Sequence, residues 1–117
     1  MAAPNIISAT SIIGKTALAA VTVAGVVIVY NSSNSGKVYK LNALYVSNID
    51  GTDNAEITVT VTSGASERHI AKTLMVPANA TVDVLSKPVY LEENMGLKVY
   101  AGVDGDLEAV TSYEEIS

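Results

Sequence analysis

At 117 residues, 49% hydrophobic and 16% charged, the chain has the composition of one folded domain and not of a disordered tail. A net charge of −5 with only seven scattered Lys and Arg residues disfavours a nucleic-acid backbone or an anionic membrane surface as partner. The absence of cysteine excludes disulfides and thiolate metal sites, and six Tyr without Trp or Phe leave Val, Ile, Leu and Ala to fill the core.

Residues 1–15 read as an extended N-terminal arm, and 16–117 as a single β-sandwich domain. The start, Met1 to Ser8, lacks the positive n-region of a secretory signal, and Pro4 favours extended neighbours. Ile6, Ile7, Ile12 and Ile13 are too apolar to lie in water without cost, so the arm is expected to rest on a neighbouring subunit. Ala17 to Tyr30 is the most hydrophobic stretch, about fourteen residues where a membrane helix needs ~20. Its β-branched composition and Gly25 favour two strands meeting near Ala24-Gly25. An unbroken apolar run predicts burial on both faces, inside the sandwich or under a partner, which makes Val26 and Ile28 candidate contact residues.

Lys37 to Thr62 carries the clearest pattern. Ile57, Val59 and Val61 alternate with Thr58, Thr60 and Thr62, as in a strand with one buried and one wet face. Tyr39, Leu41, Ala43 and Tyr45 alternate in the run before it. The polar segment Asn48 to Asn54 between them predicts a hairpin turn. Further strands are expected at 68–74, 81–85, 89–91, 97–101 and 107–116, with Pro88 confining its strand to an edge or a start. Short strands with turns every eight to twelve residues define an all-β protein, an antiparallel β-sandwich of jelly-roll type.

The chemical motifs are weak. Gly14-Lys15-Thr16 lacks the leading glycine and the following helix of a phosphate-binding loop. Two acidic turns, Asp50, Asp53 and Glu56, then Asp104, Asp106 and Glu108, do not match the twelve-residue calcium loop and read as solvated turns. The paired carboxylates Glu92-Glu93 and Glu114-Glu115 are neighbours on strands and point to opposite faces. Asn31-Ser-Ser and Asn79-Ala-Thr match the glycosylation sequon without a secretion signal to give it meaning. His69 is the only histidine, and an enzymatic reading requires a pocket that gathers it with a carboxylate. The expectation is therefore no catalytic, metal or cofactor site.

Three stretches carry a resemblance: Met-Ala-Ala-Pro-Asn-Ile at the start, Ser35-Gly-Lys-Val-Tyr-Lys-Leu-Asn-Ala-Leu-Tyr-Val-Ser-Asn-Ile-Asp-Gly-Thr-Asp in the middle, and Leu107-Glu-Ala-Val-Thr-Ser-Tyr-Glu-Glu-Ile-Ser at the end. Val76-Pro-Ala-Asn-Ala-Thr and Val89-Tyr-Leu-Glu-Glu fit as well. Through them the chain resembles a family of small virion structural proteins of marine tailed phages, especially those infecting cyanobacteria. The resemblance implies a non-enzymatic particle component, made in the host cytoplasm and carried on the outer capsid surface. Its expected role is capsid decoration, as a cement protein that binds the major capsid protein and itself, as a homotrimer, with no nucleic acid and no membrane involved. A neck, tail or fibre component is the alternative, as is a displayed receptor- or glycan-binding module with a shallow site lined by Tyr and Asp.

Overall fold

The computed structural model describes residues 5–117; residues 1–4, expected to open the arm, lie outside that range. After a single 3-10 turn, Ile6–Ser8, all regular structure is β: β1 (Ile12–Ala20), β2 (Val26–Asn31), β3 (Val38–Asn48), β4 (Ala55–Ser63), β5 (Ser66–Val76), β6 (Thr81–Asp83), β7 (Val89–Leu91), β8 (Met95–Ala101) and β9 (Leu107–Ile116). One sheet has the order β1-β9-β3-β6, with β7 also on β3; the other has the order β2-β8-β4-β5. Every pairing is antiparallel. First pairs with last, second with next to last, and so on inward to the β4–β5 hairpin, which is the wrapping of a jelly roll. The short β6 and β7 occupy two ends of β3 and together fill the position of one long strand.

The two inner faces meet in one core. Leu41, Leu44 and Val46 of β3, Leu107 and Ala109 of β9, Ile57 and Val59 of β4, and Leu97 and Val99 of β8 are almost completely buried. Val38 and Ile116 are also buried but lie apart from this cluster, in one cross-strand row with the exposed Ile12. Their row puts them on the opposite face from Tyr39 and Glu115.

The structure departs from expectation at three points. The strands predicted as a hairpin, β3 and β4, lie in different sheets, and residues 49–54 carry the chain across from one to the other. Apolar Ala17–Tyr30 does form two strands, but both are edges, and β1 is largely exposed. An edge strand has one neighbour, so an apolar sequence there gains none of the enclosure it would have at a sheet centre. β1 also begins at Ile12, so residues 12–15, expected in the arm, belong to the sheet.

Crossings between sheets are pinned by two buried asparagines. Asn31 Nδ2 donates to the carbonyls of Lys37 (2.9 Å) and Leu91 (3.1 Å), and its Oδ1 accepts from Ser35 Oγ. Asn48 Nδ2 donates to the carbonyls of Asp53 (2.9 Å) and Val76 (3.0 Å), and its Oδ1 accepts from the Asp50 N–H (2.9 Å). At the β1–β2 turn, Gly25 has φ +98° and lies against the Tyr100 ring, where a Cβ would come within 2.6 Å of Cε2. Only glycine meets both conditions.

β1 is fastened to the sheet by charge as well as by its ladder. Glu115, 8% exposed, sits between Lys15 Nζ (3.2 Å) on β1 and Lys37 Nζ (3.1 Å) before β3. Burial by itself would raise the Glu115 pKa; the hydrogen bonds and charges of Lys37 and Lys15 outweigh it and hold the carboxyl below its usual value. The same environment pushes the Tyr39 phenol up, through burial first and then the Glu115 charge.

Replacing Asn48 with Ala orphans two carbonyls and an N–H at a buried crossing, and is expected to cost about 2–4 kcal/mol in a urea or thermal unfolding measurement. The exposed Asn42→Ala is the comparison, expected to change stability by less than about 0.5 kcal/mol. A second expectation concerns acid. Because the folded state lowers the Glu115 pKa, the unfolded state takes up the proton more readily, and stability rises with pH. The contribution is complete above the ordinary carboxyl pKa of about 4.3 and disappears as pH falls through the lower folded value. Melting temperatures of the wild type and Glu115→Gln should therefore converge as the pH is lowered through this window.

Candidate functional site

Two surfaces stand out once the strands are in place. The first is the β1 edge. Of the residues expected to contact a partner, Ile6 and Ile7 lie in the 3-10 turn, 44% and 96% exposed, and Ile12 and Ile13 open β1, 59% and 50% exposed. Among the described residues the turn is held locally, by Asn5 Oδ1 accepting from the Ile7 N–H and by the Asn5 and Ile6 carbonyls accepting from the Ser8 and Ala9 N–H groups. Thr10, Ser11 and Ser117 then exchange backbone hydrogen bonds that lock the start of β1 beside the end of β9.

Val26 and Ile28, expected at the same surface, pack against the core instead. A bulge between Val27 and Val29 lets both Val26 and Val29 turn inward, so Val27 and Tyr30 are the exposed residues of β2. A residue that the composition alone does not single out is Leu18, the most exposed leucine, at 74%. It shares a cross-strand row with Val110 and the exposed Tyr45, which extends the apolar edge onto the outer face of the sheet. Beside it, Leu18, Ala19 and Ala20 with Glu108, Ala109 and Val110 line a shallow hollow.

The second surface is the outer face of the β2-β8-β4-β5 sheet. Alternation predicts a solvated threonine face on β4, yet Thr60 is 1% exposed. Register explains it: Lys98 on β8 and His69 on β5 flank Thr60, while Tyr100 is the cross-strand neighbour of Thr58. Glu67 Oε2 accepts hydrogen bonds from both Thr60 Oγ1 and the Tyr100 hydroxyl, each at 2.6 Å. Those two hydroxyls, Thr60 first, hold the Glu67 pKa below its usual value. The Lys98 ammonium lies 4.9 Å from the Tyr100 ring centroid.

Thr58, Glu67, His69 and Tyr100 together line a pocket of about 290 Å³. Its floor is shaped by irregularities in β5. Residues 72 and 73 both fall opposite Thr58, and residue 70 is an extra residue between Ala71 and His69. Thr73 takes φ +49°, an unusual conformation for a β-branched residue, and its N–H donates to Thr58 Oγ1 at 3.0 Å. His69 and a carboxylate do therefore share a pocket. Among the described residues no hydrogen bond orients the exposed imidazole, and the nearby hydroxyls of Thr60 and Tyr100 donate to Glu67 rather than facing a base. The arrangement presents a carboxylate, an imidazole and hydroxyls at one surface, and among the described residues no hydroxyl is hydrogen-bonded to the imidazole.

The acidic turns serve the backbone. Asp50 Oδ1 accepts from the Thr52 and Asp53 N–H groups, which lowers its pKa, and Asp104 Oδ1 accepts from the Val23 N–H. Burial, and then the charges of Asp50 and Asp53, raise the pKa of Asp106. Among the described residues no three His, Cys, Asp or Glu side chains are grouped to hold a metal, and no helix is long and apolar enough to cross a membrane.

No protein-family model and no curated protein matches the sequence. Among solved structures, a chain from Bacillus endospore appendages, which form a family of disulfide-linked pili, aligns with a TM-score of 0.54 and 11% identity. The alignment covers 100% of this chain and 96% of that one. A pentameric capsid protein isolated from metagenomic phage sequences gives a TM-score of 0.40 and 15% identity, over 86% of this chain and 60% of that chain. A score of 0.40 does not establish a shared fold. The chain thus shares the fold of the appendage protein, and, having no cysteine, it has no counterpart of that protein's disulfide linkage.

Proposed function

We propose that the chain is a non-enzymatic structural protein of a phage particle, a decoration protein that binds the outer surface of the capsid lattice and braces it. The observation that carries the reading is the apolar edge formed by Ile12, Ile13 and Leu18 of the firmly held β1 together with Ile6 and Ile7 of the turn before it, all exposed. A monomer that had to remain alone would be expected to blunt such an edge with charge, a bulge or a covering loop. Here Lys15 is the one charged residue of β1, and it is committed to Glu115. The sequence resemblance to phage virion proteins supports the same reading, and the jelly roll is compatible with it without requiring it.

The physical mechanism is multivalent. Each copy buries a small apolar edge against the capsid protein or a neighbouring copy, and many weak contacts on one lattice add up to a brace. A homotrimer would bring three such edges to one contact site. The net charge of −5 keeps the remaining surface solvated and mutually repulsive.

Leu18→Glu places a charge on the exposed side of the edge. The isolated variant is expected to melt within about 0.5 kcal/mol of wild type, because Leu18 lies outside the core. Its copy number on particles, measured by quantitative mass spectrometry against the major capsid protein, should fall by about tenfold or more. Wild-type copies in simple proportion to the capsid protein would support decoration of the head. A few copies per particle would assign the chain to the neck, tail or fibres, and absence from purified particles would overturn the reading.

A further inference from the structure

We propose that the pocket on the outer face of the β2-β8-β4-β5 sheet is a binding site for a neutral polyhydroxylated ligand, of the size of a single sugar ring. The inference is independent of the apolar β1 edge, which belongs to the other sheet.

Size is the first constraint. The hollow is open to solvent and holds about 290 Å³, which gives contact to about one ring of a larger or smaller molecule. Charge is the second. Glu67 is held ionised by two donated hydroxyls, so a phosphate or carboxylate group would meet a fixed negative charge. A cationic ligand would meet the resident Lys98 ammonium, which already lies over the Tyr100 ring and interacts with Glu67. A metal ion would find a single carboxylate and a single imidazole. What remains is a neutral polar ligand.

The hydrogen-bonding inventory fits hydroxyl groups in particular, since each hydroxyl both donates and accepts. Glu67 Oε2 takes both protein hydroxyls, while Oε1 accepts no hydrogen bond among the described residues and is free for a ligand donor. Thr58 Oγ1 accepts from the Thr73 N–H, so its own proton is left to donate. The His69 imidazole, exposed and without a hydrogen bond among the described residues, can offer either. Tyr100 also lines the pocket and adds aromatic surface beside these groups, one face of its ring being taken by Lys98. Plain alternation on β5 puts His69 and Glu67 on one face, the bulges at residues 70 and 72–73 set how that pair lies against Thr58, and the strained Thr73 supplies the N–H that orients Thr58.

Because His69 is the only histidine, its imidazole resonances report on this pocket alone. The test titrates the full chain with glucose, galactose, N-acetylglucosamine and, as ionic comparisons, inorganic phosphate and methylammonium, following the His69 signals by NMR. The expected result is a saturable shift with at least one sugar at millimolar concentration and none with either ion. Glu67→Gln should weaken that sugar's binding by about tenfold, the loss of one charge-assisted hydrogen bond. Should Glu67→Gln fail to fold, Thr58→Ala removes the free donor and is expected to weaken binding in the same direction. The proposal is overturned if no sugar gives a saturable shift, if phosphate or methylammonium does so instead, or if a folded variant binds the sugar as the wild type does.

Discussion

In a sandwich whose strands wrap from both ends inward, the backbone repeatedly leaves one sheet for the other at the rim of the core. Each such crossing carries N–H and C=O groups away from a ladder, and they must find partners where water is scarce. Asn31 and Asn48 provide those partners. Each ends a strand, is almost fully buried, and directs its amide at two carbonyls from segments distant in sequence or across the loop. The loops 32–37 and 49–54 are thereby fixed relative to β7 and β5, and the apolar strands between them can pack as two facing layers. Apolar side chains alone would fill this core without specifying which loop closes it.

The strands are largely legible in the sequence, and their partnership is not. Alternation in Ile57, Val59 and Val61 and in Leu107 to Ile116 reports a strand with one buried face, because that pattern is local. It says nothing of which strand lies alongside. β3 and β4 look like a hairpin because a short polar segment separates two alternating runs, yet the six residues between them suffice to cross the sandwich. The edge position of β1 is hidden for a related reason. Ala, Val and Ile signal the same thing at a sheet centre and at an exposed edge that awaits a partner. Of the six residues expected at a contact surface, Ile6, Ile7, Ile12 and Ile13 are exposed, whereas Val26 and Ile28 are half-buried and pack against the core beside the β2 bulge.

The pocket is less legible still. Thr58, Glu67, His69 and Tyr100 come from three strands, and only register with two added residues in β5 brings them together. A bulge leaves a weak mark on sequence, here no more than a broken alternation from Arg68 to Leu74. The buried threonine beneath it reads as solvated, since a threonine face is usually wet and the covering carboxylate lies on another strand. Charged groups in this protein thus divide by what they hold in place. Glu115 anchors an edge through two lysines, Asp50 and Asp104 cap turns, and Glu67 organises hydroxyls.

The pairing of β1 with β9 has a consequence in time. Ile12 lies opposite Ile116 and Ala20 opposite Glu108, so β1 cannot form this ladder until β9, nearly ninety residues later, has emerged. Loop closure on that scale is slow compared with local hairpin formation, and during synthesis β1 remains an apolar ribbon with both edges open. The β4–β5 hairpin, whose strands are adjacent in sequence, is the natural place for structure to begin, with each outer pair of strands added in turn. Nascent chains crowded on one message would then face a contest between closing on themselves and pairing with one another through β1.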